Sequence, residues 1–167
     1  MTAESSTEAR VSLPVQAPKA VPDTSPLVAR LVDVCGATWV DADTIDAWAA
    51  QGGDRVVLFA GDAVRFPEGQ DVAVVLPELR RSLAGRFEVG IVQRHLEESL
   101  ARRFGSQRWP TLLFLRDGQY VTTLSGMHDW DDFLRQAEAA LAAPISRAPS
   151  IGIPLVSAAP AGDAGCH

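Results

Sequence analysis

The stretch Arg103-Phe104-Gly105-Ser106-Gln107-Arg108-Trp109-Pro110-Thr111-Leu112-Leu113-Phe114-Leu115-Arg116-Asp117-Gly118-Gln119-Tyr120 decides how this chain is read. Gly105 closes a helix. Trp109-Pro110-Thr111 is an X-Pro turn, and Leu112–Leu115 is an apolar run short enough to be a buried strand. Asp117-Gly118 is a strong type I′ turn signal, so Tyr120–Leu124 returns as the second strand of a hairpin.

Upstream of that stretch, Leu27, Leu31 and Val34 fall at helical spacing over 27–34, and Gly36 ends the helix. Thr38–Val40 reads as a short strand. Asp41 or Asp43 caps a second helix through Ala50, which Gly52-Gly53 stops. Arg55–Ala60 reads as a buried strand and Gly61–Asp71 as a polar loop containing Phe66-Pro67. Val72–Leu76, apolar and β-branched, is expected to be extended. Pro77 suits the first turn of a helix running to Ala84. Phe87–Val92 is another buried strand, and Glu97–Phe104 a helix. Downstream, Asp129 caps a final amphipathic helix with Trp130, Phe133, Leu134, Ala137 and Leu141 at its apolar positions. The order α-β-α-β-α-β-α-β-β-α implies an α/β domain with a mixed central sheet and helices on both faces. Residues 1–26 and 144–167, rich in Pro and small residues, are expected to be flexible tails around a domain at 27–143. Within the second tail, Ile151, Ile153, Leu155 and Val156 read as a segment able to dock.

A length of 167 residues, 47% of them hydrophobic, fits one packed domain and excludes a disordered chain. A formal net charge of −6 runs against non-specific nucleic-acid binding, which needs a basic face to displace counterions. Cys35 and Cys166 lie far apart, so no disulfide framework is implied and a reducing compartment suits the chain. Met1–Ala20 carries Glu4 and Glu8 and no continuous apolar core, so it does not read as a secretory signal. No run approaches the roughly 18 apolar residues of a membrane span. A soluble, cytoplasmic protein without membrane insertion is expected. His95, His128 and His167 stand at no metal-ligand spacing, and no phosphate loop or nucleotide fingerprint is present, so neither metal nor cofactor is expected.

The opening stretch resembles the thioredoxin family. That family pairs an aromatic-Gly helix end with X-Pro-Thr, an apolar strand, a Gly turn, a second strand and a Gly. Here these are Phe104-Gly105, Trp109-Pro110-Thr111, Leu112–Leu115, Asp117-Gly118, Tyr120–Leu124 and Gly126. The resemblance implies a thioredoxin-like fold, a cis Trp109–Pro110 peptide and a turn whose backbone pairs with an extended peptide. It also places a cysteine pair just after Val56–Ala60, at a helix N-terminus that would favour thiolate. Gly61–Asp71 occupies that place instead, and no Cys-x-x-Cys occurs anywhere. The family's buried acid aligns with Phe59. A scaffold lacking both thiols and proton acceptor implies binding, not redox catalysis.

Over about Leu27–Leu141 the chain is similar to an offshoot, the thioredoxin-like accessory proteins of NiFe-hydrogenase operons (HyaE/HupG type). The shared features are the cysteine-free loop, Arg103-Phe104-Gly105, and the Gly-x-His-x-Trp run Gly126-Met127-His128-Asp129-Trp130. This resemblance implies a redox-inactive maturation chaperone. Its partners would be the hydrogenase small-subunit precursor, including its twin-arginine signal peptide, and other maturation factors. The expected groove combines Asp62, Phe66, Glu68 and Asp71 of the loop, Trp109 and Pro110 of the turn, and Gly126 and His128 at the following corner.

Each of these residues also has a plainer reading. Trp109 is either a rim anchor or packed on the helix ending at Phe104. Asp62, Glu68 and Asp71 either pair with arginines of a peptide or form a solvated acidic loop. His128 may be read as hydrogen-bonding a helix start, Cys35 as a small core residue, and Glu97 and Glu98 as a solvated helix face. Two other functions compete: a thiol–disulfide oxidoreductase using Cys35 or Cys166 alone, and a structural subunit of an assembly complex.

Overall fold

A computed structural model of the chain describes residues 23–150. Expectations for 1–22 and 151–167, among them the Ile151–Val156 segment and Cys166, fall outside those residues. The elements are α1 (Pro26–Asp33), β1 (Thr38–Val40), α2 (Ile45–Ala49), β2 (Asp54–Phe59), α3 (Glu68–Ser82), β3 (Phe87–Val92), α4 (Arg94–Arg103), β4 (Thr111–Arg116), β5 (Gln119–Ser125) and α5 (Trp130–Ala142). They form a thioredoxin-like α/β fold around a five-stranded sheet in the order β1-β3-β2-β4-β5. β1, β3 and β2 run parallel; β4 and β5 are antiparallel additions.

Strand β2 shows why the sheet is covered on both faces. Side chains alternate across a strand, and here both sets are apolar. Val56 and Leu58 join a core with Val28 and Leu31 of α1, Val72, Leu76 and Leu79 of α3, and Phe133 and Ala137 of α5. Val57 and Phe59 join the opposite core with Ile45 and Trp48 of α2 and Leu100 and Ala101 of α4. The Trp48 ring lies so close to Gly90 on β3 that a Cβ there would come within 2.8 Å of it. Trp39 is half-buried against the first core.

The hairpin follows the expected turn chemistry: Asp117 and Gly118 have φ of 50° and 79°, and Arg116 pairs with Gln119 across them. Arg116 locks this corner. Its Nε donates to Asp54 Oδ1 at 2.7 Å, and its Nη atoms donate to the carbonyls of Leu141 and Ala143 at the end of α5.

Three local expectations are corrected. Val72–Leu76 is not extended, because it lies within α3, which starts at Glu68. Gly69, Val72, Ala73, Leu76 and Leu79 recur at helical spacing on the buried side, and that period outweighs their β-branched composition. Pro77 sits inside this helix, not in its first turn, and removes the backbone bond to the Ala73 carbonyl. Helix α4 begins at Arg94, one turn before Glu97. Neither Asp41 nor Asp43 is the N-cap of α2; Thr44 is, while Asp41 accepts from the backbone N–H groups of Asp43 and Thr44 in the turn before it.

Residues 144–150, placed in a tail by composition, are pinned to β5 at Ser146 and then pack toward the end of α4, with Ala148 against the second core. The Ser146 N–H donates to the Tyr120 carbonyl and its hydroxyl to the Val121 carbonyl, both at 2.8 Å. Pro149 lies against Gly105, leaving no room there for a Cβ.

Candidate functional site

The site lies at the end of β2, where the chain turns through Ala60–Pro67 before entering α3. Gly69 makes this turn tight: a Cβ at that position would overlap the Ala60 carbonyl. Gly61 has φ of 80°, and a Cβ there would meet Phe66 Cδ2 and Trp109 Cβ at 2.9 Å. Glycine at both positions lets the loop fold over and bring Phe66 onto the Trp109 ring, with centroids 5.8 Å apart and planes 29° from parallel.

The Trp109–Pro110 peptide is cis. The turn is tied to the end of β5. The Pro110 carbonyl accepts from Gly126 N–H at 2.8 Å, and the buried Thr111 hydroxyl lies 2.8 Å from Ser125 Oγ and donates to the Arg108 carbonyl. Phe66, Trp109, Ser125 and Gly126, with Gln107 and Arg108, line an open groove of about 330 Å³.

The remaining expected residues are dispersed. Pro110 is buried under the groove. Asp62 accepts from the backbone N–H groups of Val64 and Arg65, which hold its carboxyl below the usual carboxylate range, the Arg65 bond most of all. It lines a different cavity, of about 420 Å³, that also contains Ala60, Gly61 and Val64. Glu68 and Asp71 are exposed in the first turn of α3, where negative charge complements the helix dipole, and neither lines the groove. Nor does His128: its Nε2 lies 3.0 Å from the Ser125 carbonyl and its Nδ1 3.3 Å from Gln136 Nε2.

The residue that sequence reading missed is Glu97. Far from being on a solvated face, it is 1% exposed. Its Oε1 accepts from Ala60 N–H at 2.6 Å, and the Gly61 N–H is shared between the two carboxylate oxygens at 3.1 and 3.0 Å. Burial pushes its carboxyl up to about 7, against the pull of those two N–H groups, of Arg94 and, least, of the Trp109 indole. That indole N–H falls short of a full hydrogen bond: Nε1 is buried without a partner of standard geometry. The signal was present in the spacing, since Glu97 stands three, four and seven residues before the buried Leu100, Ala101 and Phe104. Phe59, which the thioredoxin resemblance aligns with that family's acid, is fully buried, and a carboxylate reaches the same strand end from α4.

Cys35 lies elsewhere, half-buried after α1 beside a cavity lined by Arg30, Val74 and Pro77. Among the described residues no cluster of His, Cys, Asp or Glu is placed to hold a metal ion, and no helix is long and apolar enough to cross a membrane.

Comparison with known proteins adds the family. A model described as Hydrogenase-1 expression protein HyaE matches residues 27–133. The hydrogenase expression/formation protein HoxO of Cupriavidus necator is 53% identical over 165 residues, covering 97% of this chain and 99% of that protein. HupG of Bradyrhizobium diazoefficiens, also a hydrogenase expression/formation protein, is 34% identical, covering 72% of this chain and 84% of its own. A crystal structure of HupG from Rhodopseudomonas palustris is 40% identical with a TM-score of 0.45, covering 63% of this chain and 95% of that one. This chain belongs to the HyaE family of hydrogenase expression proteins.

Proposed function

We propose that this chain, which by its family has an accessory role in hydrogenase maturation, works as a non-catalytic chaperone. It holds the hydrogenase small-subunit precursor, with its twin-arginine signal peptide, in the cytoplasm before export. The observation that carries this reading is the Phe66–Trp109 stack over an open groove, in the place where the thioredoxin pattern carries its thiols. Aromatic side chains of this kind are the usual anchors of a protein interface. Phe66, Trp109 and Gly126, over Pro110, form the contact surface. Asp62, Glu68 and Asp71 draw the arginines of the peptide from nearby, and His128 supports the corner.

The test is the affinity of the purified chain for small-subunit precursor. Trp109→Ala combined with Glu68→Lys and Asp71→Lys weakens binding at least about tenfold. Deleting the signal peptide from the precursor has a similar effect. Undiminished affinity in the triple variant overturns the groove assignment, and undiminished affinity without the signal peptide moves the contact to the body of the subunit. A chaperone is absent from the finished enzyme, whereas a structural subunit persists in it.

A further inference from the structure

The second cavity, of about 420 Å³, is separate from the Phe66–Trp109 groove and shares with the function proposed above only Asp62 on its lining. Its size falls within the range of small-ligand pockets, roughly 300–1,000 Å³. Pro26, Val28, Val64 and Val92 give it apolar walls. Residues 23–26 form its rim, held there by Asp23, whose Oδ2 accepts from the His95 backbone N–H at 2.8 Å and lies 2.6 Å from its ring Nδ1.

Two polar groups of α4, one helical turn apart, line this cavity with unused hydrogen-bonding capacity. Arg94 Nε is buried and has no hydrogen-bond partner among the described residues. A donor left in that state is costly until something accepts from it. Among hydrogen bonds of standard geometry, Glu97 Oε2 takes only the Gly61 N–H that it shares with Oε1, so it has a lone pair to spare. The cavity thus offers one donor and one acceptor from neighbouring turns of α4 within a partly apolar lining.

We propose that this cavity is a binding site for a carboxamide on a short apolar body, its carbonyl accepting from Arg94 Nε and its N–H donating to Glu97. Other simple groups complement the pair less well. A carboxylate brings no donor and meets the Glu97 charge. An ammonium or guanidinium suits the carboxylates of Asp62 and Glu97 but leaves the Arg94 donor unmatched. The C=O and N–H pair has two natural sources: an Asn or Gln side chain, whose C=O and syn N–H share one edge, or an extended backbone residue, whose own N–H and C=O point the same way, unlike those of a single trans peptide group.

The experiment is a titration of the full chain followed by nitrogen–proton NMR at the Ala60 and Gly61 amides, which bond to Glu97. Isovaleramide stands for a side-chain amide and N-acetyl-leucine N-methylamide for a backbone one; isovalerate and isopentanol carry the same kind of apolar body without the amide. At least one amide shifts both resonances saturably, about tenfold more tightly than either control, and whichever amide is tighter identifies the source. Arg94→Met, at a partly exposed position, leaves the spectrum folded and weakens the amide about tenfold, the loss expected for one charge-assisted hydrogen bond. Equal binding of isopentanol and the amides, no saturable binding, or an Arg94→Met variant that binds amide unchanged would each overturn the proposal. No hydrogenase component enters the assay, so its outcome is independent of the groove.

Discussion

Replacing Glu97 by glutamine isolates the energetic effect of holding a carboxylate at the end of β2. The Glu97 carboxyl moves from an ordinary 4.5 to about 7 on folding. Between those values the native state holds a proton that the unfolded chain has released, so native stability falls as pH rises. The contribution is fully present below 4.5 and lost once pH has passed about 7. At ~1.36 kcal/mol per pH unit the complete window amounts to about 3 kcal/mol, most of which falls between pH 5 and pH 8. The glutamine side chain keeps a carbonyl oxygen for Ala60 and Gly61 and does not titrate. Urea unfolding of both proteins at pH 5, 6, 7 and 8 therefore gives a stability difference that grows by about 2–3 kcal/mol in favour of Glu97→Gln with rising pH. Titrations elsewhere in the chain cancel in that difference. A difference flat to within about 0.5 kcal/mol, or one that grows in favour of the native glutamate, would refute the reasoning: the two backbone N–H bonds would then outweigh the burial of the charge.

Three further outcomes follow from the packing. Gly69→Ala forces the first turn of α3 away from the Ala60 carbonyl and costs about 1–3 kcal/mol in urea unfolding; a neutral effect would mean that the β2–α3 corner gives way freely. Arg116→Met removes the bonds to Asp54, Leu141 and Ala143 together and costs about 2–4 kcal/mol; in a double-mutant cycle with Asp54→Ala the losses are less than additive, and strict additivity would show that the pair is not coupled. In an insulin-reduction assay the chain runs at the background rate of the reductant, and a Cys35→Ser, Cys166→Ser form behaves identically; activity lost with the thiols would replace the chaperone reading with a thiol enzyme.

The parts of the fold legible beforehand were those specified by neighbouring residues. Asp117-Gly118 fixes its turn because both residues accept positive φ, and the apolar runs of β2, β3 and β4 were long enough to identify as buried strands. Val72–Leu76 misled because its residue types favour strands, while its periodicity, visible only when extended back to Gly69 and forward to Leu79, belongs to a helix. In the candidate site, Phe66, Trp109 and Gly126 do line one groove, whereas Asp62 turned to its own loop amides. Glu97 escaped because its role depends on two N–H groups 36 and 37 residues away, left without strand partners where β2 ends. Its residue type pointed to solvent, and only its helical phase pointed inward.

The pinning of Ser146 on β5 bears on what the sheet edge offers to another molecule. An edge strand offers unpaired backbone groups to any other strand, and proteins that leave one bare invite sheet-to-sheet association. Here Ser146 occupies the carbonyls of Tyr120 and Val121, so the first half of β5 is already engaged by the chain's own continuation. A visiting strand finds only Thr122–Ser125, a stretch of about 13 Å. Long in-register pairing between two molecules would first have to peel Ser146 away from those two carbonyls.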